Sequence, residues 1–219
     1  METFFDNSAQ PAVRGFLHQP APGNSDALVL THGAGANCQS KLMIAVANAF
    51  AASGFTVLRC DLPFRQQRPH GPPLPGGTAN DREGLRRAVE AMKKIVPGHV
   101  FLGGHSYGGR QATMMAAEDK PEDAQVAAGL LLLSYPLHPP RKADQLRTAH
   151  FPQLRTPALF VHGSRDPFGS LDEMKSALQL IPAAKMLLEV AGAGHELLSA
   201  KGAGDLPEQI MEAFSKFFS

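Results

Sequence analysis

The chain has 219 residues, a length that suits one α/β domain with a full core. Its 21 basic residues stand against 20 acidic ones, which leaves no basic patch of the kind nucleic-acid binding needs, and no apolar run approaches the roughly 20 residues required to cross a bilayer. Two cysteines, Cys38 and Cys60, make neither a disulfide framework nor a metal site, and the acidic start Met1-Glu2-Thr3-Phe4-Phe5-Asp6 has no signal-peptide pattern. We therefore expect a reduced, cytoplasmic protein with no cofactor, no metal, no membrane and no nucleic-acid partner.

In chain order, strands alternate with helices. Ala12 to Leu17 is an edge strand, closed by a Pro/Gly/Asn/Ser cluster over residues 19–25. Ala27-Leu28-Val29-Leu30 is a continuous apolar run, the pattern of a strand buried on both faces of a parallel sheet, and it leads into Thr31-His32-Gly33-Ala34-Gly35-Ala36-Asn37. The spacing of Leu42, Ile44, Val46, Ala49 and Phe50 predicts a helix from Ser40 to Ser53, ended by Gly54. Phe55 to Arg59 is the next strand, followed by Cys60-Asp61-Leu62-Pro63-Phe64-Arg65. Residues 66–80, rich in Pro, Gly and Arg, read as a surface loop without regular structure. Thr78 to Asp81 offer N-cap candidates for a helix reaching Val96, stopped by Pro97-Gly98.

His99 to Leu102 is a strand and Arg110 to Glu118 a helix; Ala127 to Ser134 is another buried strand. His138 to Thr156 is polar and punctuated by proline. Pro157 to Val161 is a strand, Leu171 to Leu180 a helix stopped by Pro182, and Lys185 to Val190 the last strand. Asp205 to Phe218 is an amphipathic helix with Leu206, Ile210, Phe214 and Phe217 on one face. The alternation implies one α/β domain over residues 1–219, with a mostly parallel sheet covered by helices on both faces.

One turn organises the rest. Gly104-His105-Ser106-Tyr107-Gly108 joins a strand to a helix, and G-x-S-x-G in that context is a nucleophile elbow. The turn lifts the serine hydroxyl clear of the sheet, and the positions two before and two after must be almost free of side chain because the backbones approach there. In open α/β sheets reactive groups collect past the carboxyl ends of the strands. Two more residues lie there: Asp166, in His162-Gly163-Ser164-Arg165-Asp166-Pro167-Phe168-Gly169, and His195, after Gly192-Ala193-Gly194. A serine hydroxyl needs an imidazole to take its proton and return it to the leaving group, and a carboxylate to hold that imidazole in the right tautomer. Asp-Pro is also a turn signal, which leaves Asp166 a second reading as a turn residue. The preceding strand ends in Ser134-Tyr135-Pro136-Leu137-His138, which holds no competing carboxylate. His18, His70, His99, His138 and His150 read as surface or loop residues.

The oxyanion hole is expected from two backbone amides, Tyr107 and either Ala34 or its neighbour Gly35, with Ala34 preferred. Gly33-Ala34-Gly35 lacks the third small position of a dinucleotide fingerprint and the G-K-[ST] of a phosphate loop, so neither applies.

On His32-Gly33-Ala34-Gly35, Gly104-His105-Ser106-Tyr107-Gly108-Gly109, His162-Gly163-Ser164-Arg165-Asp166 and Gly194-His195, the chain resembles the α/β-hydrolase superfamily, and within it a small, lidless, dienelactone-hydrolase-like group. The resemblance runs from about Ala27 to the last helix. It implies an α/β-hydrolase fold with no cap domain, and a Ser106–Asp166–His195 triad acting on a small-molecule ester or thioester. Dienelactone hydrolases carry cysteine at the elbow; Ser106 here points instead to a generic serine esterase, and Cys60 reads as packing. Residues 62–80 form the wall or lid of the site, or else a solvated loop. Candidate substrate contacts are Phe64, Arg65, Arg68, Phe168 and His138, with Tyr107 and Leu137 as further walls. Arg110 binds a substrate carboxylate, or ties down buried carbonyls or an acid such as Asp61. Rival functions are a non-catalytic interaction module and a peptidase or acyltransferase of the same fold.

Overall fold

The structure, a computed structural model, describes residues 1–8, 10–20, 25–119, 125–198 and 205–219. The expected turn cluster at 19–25 lies largely outside them. The strands are β1 (Glu2–Asp6), β2 (Val13–His18), β3 (Ala27–Thr31), β4 (Thr56–Cys60), β5 (Val100–His105), β6 (Leu130–Leu133), β7 (Ala158–Gly163) and β8 (Lys185–Val190). They form one sheet in the order β1-β2-β4-β3-β5-β6-β7-β8. β1 and β2 pair antiparallel, as do β2 and β4; every other neighbouring pair is parallel.

The helices are α1 (Lys41–Ala52), α2 (Pro63–Gln67), α3 (Thr78–Lys93), α4 (Tyr107–Ala116), α5 (Leu171–Leu178) and α6 (Leu206–Phe218). β3 shows why both faces of the sheet are covered. Ala27 and Val29 join the core under α3, α4 and α5, whereas Leu28 and Leu30 join the core under α1 and α6. Side chains alternate across a strand, so a run that is apolar at every position needs a helix layer on each side. On the α6 side Phe214 meets Phe50, Phe55 and Phe101 edge-on at ring separations of 5.0, 5.8 and 4.9 Å. Such edge-to-face pairs suit the aromatic quadrupole.

Three expectations need correction. Ala12 to Leu17 is not an edge strand: β2 lies between β1 and β4, and the edge is β1, whose Phe4 packs against the core. Its alternation is too short to stand out from a polar start. Residues 66–80 are not wholly irregular, since α2 runs to Gln67 and α3 starts at Thr78. Pro63 at the first turn of α2 explains this, because its fixed φ and missing N–H cost nothing there. Finally, the cap position of α3 is Gly77, with no side-chain cap, so neither Thr78 nor Asp81 serves that role.

The sheet also places the site. From β3 the chain moves one way to β4 and then back the other way to β5. This reversal opens a crevice between the carboxyl ends of β3 and β5, the place where open α/β sheets bind ligands. Between β6 and β7, residues 134–157 contain only the short 3-10 turn Phe151–Gln153, so no cap domain is inserted there.

Candidate active site

β5 ends at His105 and α4 begins at Tyr107, which leaves Ser106 alone at the turn with φ 51° and ψ −113°. A non-glycine residue at positive φ is strained and persists only where its surroundings over-determine it. Here the Ser106 N–H donates to the Leu133 carbonyl at 2.8 Å, and the Ser106 carbonyl accepts from the Arg110 N–H at 3.0 Å. The flanking glycines are required by contact. A Cβ on Gly104 would sit 2.5 Å from the Gly108 carbonyl carbon, and one on Gly108 would sit 2.6 Å from the His32 carbonyl oxygen.

The structure brings Ser106, His195 and Asp166 into one hydrogen-bonded line. The Ser106 hydroxyl donates to His195 Nε2 at 2.7 Å, and His195 Nδ1–H donates to Asp166 Oδ2 at 2.8 Å and Oδ1 at 3.0 Å. The Asp166 side chain is fully buried and that of His195 is 15% exposed. Asp166 Oδ1 also accepts the Phe168 N–H at 2.9 Å, so the turn function and the pairing with His195 coexist in one carboxylate. His195 is held on two further sides. The Phe168 ring lies 4.2 Å from its ring, and His105 Nε2–H donates to its carbonyl at 2.9 Å. Burial holds the His105 pKa below the ordinary imidazole value, which keeps that ring neutral.

On the opposite wall, the loop after β3 folds over the elbow. A Cβ on Gly33 would lie 3.1 Å from His105 Nδ1 and 3.5 Å from Ser106 Cβ, so the backbone at Gly33 abuts the elbow. The Gly33–Ala34 peptide is oriented by His32. The Leu62 N–H donates to His32 Nε2 at 3.1 Å, which leaves the proton on Nδ1 to donate to the Gly33 carbonyl at 2.8 Å. Burial, the main influence on His32, lowers its pKa and favours this neutral form. A peptide N–H points opposite to its carbonyl, so fixing the Gly33 carbonyl fixes the Ala34 N–H as well. Tyr107 opens α4, and its N–H therefore has no helical partner.

Other expected contacts fall differently. Arg65 is 5% exposed and its guanidinium spends four of its five N–H groups on backbone carbonyls. Nε donates to Ala36, Nη1 to Arg68, and Nη2 to Ala34 and Gly71, at 2.8–2.9 Å. It braces the loop after β3, with one Nη1 N–H the only donor outside these four bonds. His138, expected as a surface contact, is buried, and its Nδ1 meets the Pro139 carbonyl at 2.8 Å. His18 is likewise buried, accepting from Arg59 Nε at 2.9 Å, and His150 pairs with Thr113 Oγ1 at 2.8 Å. Arg110 does not reach Asp61, whose carboxylate takes the Cys38 N–H at 2.7 Å; among the described residues Arg110 forms no ion pair. Cys60 is buried, and burial raises its thiol pKa, as a packing residue requires. Phe64 meets Tyr107 edge-on at 5.7 Å and borders a cavity of about 230 Å³ shared with Arg68, Leu74, Pro75 and Asn80. No group of His, Cys, Asp and Glu among the described residues is arranged to hold a metal ion, and no helix among them is long and apolar enough to cross a membrane.

One polar residue escaped the sequence reading. Asp81, completely buried, accepts the Phe64 N–H at 3.0 Å and the Tyr107 hydroxyl at 2.7 Å. Its burial raises its pKa, which these two donors partly offset. Only its place in the first turn of a helix marked it, and that signal points to capping.

Comparison with known proteins agrees with the fold. A curated relative in Pongo abelii, "Putative protein-lysine deacylase ABHD14B", is 25% identical over 186 residues, covering 82% of this chain and 80% of that protein. Three solved structures share the fold at low identity. An alpha-beta serine hydrolase homologue from Coxiella burnetii has a TM-score of 0.77 at 16% identity, covering 97% of this chain and 96% of that one. A dienelactone hydrolase from Anabaena variabilis has a TM-score of 0.76 at 19% identity, covering 99% and 97%. A lidless a/b serine hydrolase from Xanthomonas campestris has a TM-score of 0.74 at 16% identity, covering 98% and 94%. The model of the alpha/beta hydrolase domain family matches residues 24–218, and with the elbow, the sheet order and the uncapped β6–β7 connection in place, the chain belongs to that family.

Proposed function

We propose that this hydrolase-family chain is a serine hydrolase that cleaves small esters or thioesters through an acyl-enzyme on Ser106. The observation that carries this is the continuous Ser106–His195–Asp166 hydrogen-bonded line at 2.7 and 2.8 Å, set on a strained elbow. Ser106 Oγ attacks the substrate carbonyl carbon while its proton passes to His195 Nε2. The carbonyl oxygen takes up negative charge in front of the Tyr107 and Ala34 amides, which are fixed before reaction and so need no reorganisation as charge develops. Collapse breaks the bond to the leaving oxygen or sulfur, which takes the proton from His195. Water then repeats the sequence: His195 receives a proton from water, hydroxide adds to the acyl carbon, and Ser106 leaves reprotonated. Asp166 holds the Nδ1–H tautomer throughout and stabilises the imidazolium when it forms. Phe168 on His195 and Phe64 on Tyr107 provide apolar walls.

p-Nitrophenyl acetate and butyrate test this directly. Wild type should turn them over, and Ser106→Ala should lose at least about 1000-fold in kcat/KM. Equal background rates would favour the interaction-module alternative. The name of the ABHD14B relative, a protein-lysine deacylase, favours a second substrate class, the acyl amide of lysine. An acyl-lysine peptide assayed beside an ester of the same acyl group separates the two, and the class with the higher kcat/KM is the better match.

A further inference from the structure

The serine and the imidazole account for proton transfer, but not for what keeps a strained elbow from relaxing. The Ser106 backbone bonds fix the turn from the sheet side and from inside α4. The third restraint comes from outside both. Tyr107, the residue after the nucleophile, carries the amide that faces the developing oxyanion, and its hydroxyl is tied 2.7 Å from Asp81 on α3. The other oxygen of the same carboxylate takes the Phe64 N–H of α2 at 3.0 Å. α2 also holds the opposite wall. The amide of Leu62, the residue just before α2, binds His32, and Arg65 on α2 binds the Ala34 carbonyl. A wholly buried carboxylate is costly unless each oxygen is satisfied; here each has a donor, and the Arg82 charge nearby favours the ionised form further.

We propose, resting on the serine-hydrolase reading, that Asp81 is a positioning residue for the oxyanion hole: by gripping the Tyr107 hydroxyl and the Phe64 amide together, it sets the Tyr107 N–H relative to the loop that carries the Ala34 N–H. It touches no reacting atom. Its effect is therefore on transition-state stabilisation and not on substrate binding, because the oxyanion exists only after attack.

The test is a double-mutant cycle of Asp81→Asn and Tyr107→Phe on p-nitrophenyl butyrate. It is run beside Ser106→Ala, with thermal melts to confirm folding and a phenylboronic acid as a tetrahedral-adduct probe. Each single variant should lose about tenfold in kcat, less than the loss of a whole oxyanion donor, with KM changed by under about threefold. Boronate affinity should fall by the same factor. The double variant should be no slower than the worse single one, since both changes act on the one Asp81–Tyr107 contact and Asp81→Asn keeps an oxygen for the Phe64 N–H. The proposal is overturned if both folded single variants keep kcat within about twofold, if the loss lies in KM alone, or if the two losses multiply. Should Asp81→Asn fail to fold, Tyr107→Phe decides, because it removes a single hydroxyl from a partly buried residue; wild-type kcat there sinks the idea. A wild type no faster than Ser106→Ala sinks the hydrolase reading, and this proposal with it. A wild type that turns over beside unaffected variants sinks this proposal alone.

Discussion

The two walls of the site are built on different principles. The wall after β7 and β8 is made of side chains that bond one another: Asp166 to His195, and His195 to Ser106. The wall after β3, with α2 and α3 behind it, is made of backbone groups held by distant side chains: the Gly33 carbonyl by His32, the Ala34 carbonyl by Arg65 and the Phe64 amide by Asp81. A proton relay needs particular side-chain chemistry, so residue type is the constraint. An oxyanion hole needs fixed N–H groups, so geometry is the constraint, and the residues that supply it need not adjoin the site. A substitution on the first wall should abolish a chemical role, and one on the second should blunt it.

The largest effect belongs to the first wall. Asp166→Asn preserves shape but removes one acceptor and invites the wrong imidazole tautomer; kcat on p-nitrophenyl butyrate should fall by about 10,000-fold with KM little changed. A loss under tenfold would mean that Asp166 is chiefly the turn residue its Asp-Pro pairing also suggests. The second wall is tested by Arg65→Met, which keeps much of the aliphatic stem and leaves the carbonyls of Ala34, Ala36, Arg68 and Gly71 without their donor. kcat should drop about 10- to 100-fold, within the range for a disturbed oxyanion donor. A raised KM with unchanged kcat would instead restore the arginine as a substrate contact and collapse the contrast between the walls.

The smallest effect lies outside both walls and separates stability from chemistry. His18 and His150 are each held down to a pKa of about 4, first by burial and then by Arg59 and Arg110 respectively. Both are neutral in the folded protein and return to the ordinary value near 6.5 on unfolding. The unfolded chain therefore binds more protons between those values, and stability is complete above about pH 6.5 and falls as pH drops towards 4. Each contributes on the order of 1–2 kcal/mol across that window. Urea denaturation at pH 7 and pH 5 should show the loss, and His150→Gln should shrink it; an unchanged pH difference would mean that the imidazole is not the titrating group.

The same contrast explains what was legible in the sequence. Ser106, Asp166 and His195 were readable because each combines a reactive side chain with a position just past a buried strand, and their chain order matches one chemistry. The approach of the loop after β3 to the elbow was readable through its His-Gly pair. Asp81 and Arg65 were not. Asp81 sits in a helix's first turn, where an acid ordinarily caps, and Arg65 sits beside a loop, where a cation ordinarily meets solvent or substrate. Their real partners lie on other elements: the Phe64 amide and the Tyr107 hydroxyl, 17 and 26 residues from Asp81, and the Ala34 carbonyl, 31 residues from Arg65. Nothing in local pattern encodes such pairings. β1 was missed for a related reason: a short edge strand buries too little to show a period.

The central claim is that Ser106 is a nucleophile activated by His195. Fluorophosphonate labelling followed by intact-mass and peptide analysis tests it most directly. One probe should attach per chain, at Ser106, and both Ser106→Ala and His195→Ala should abolish labelling on the wild-type timescale. Labelling at another residue, or a His195→Ala variant that labels as fast as wild type, would contradict the account.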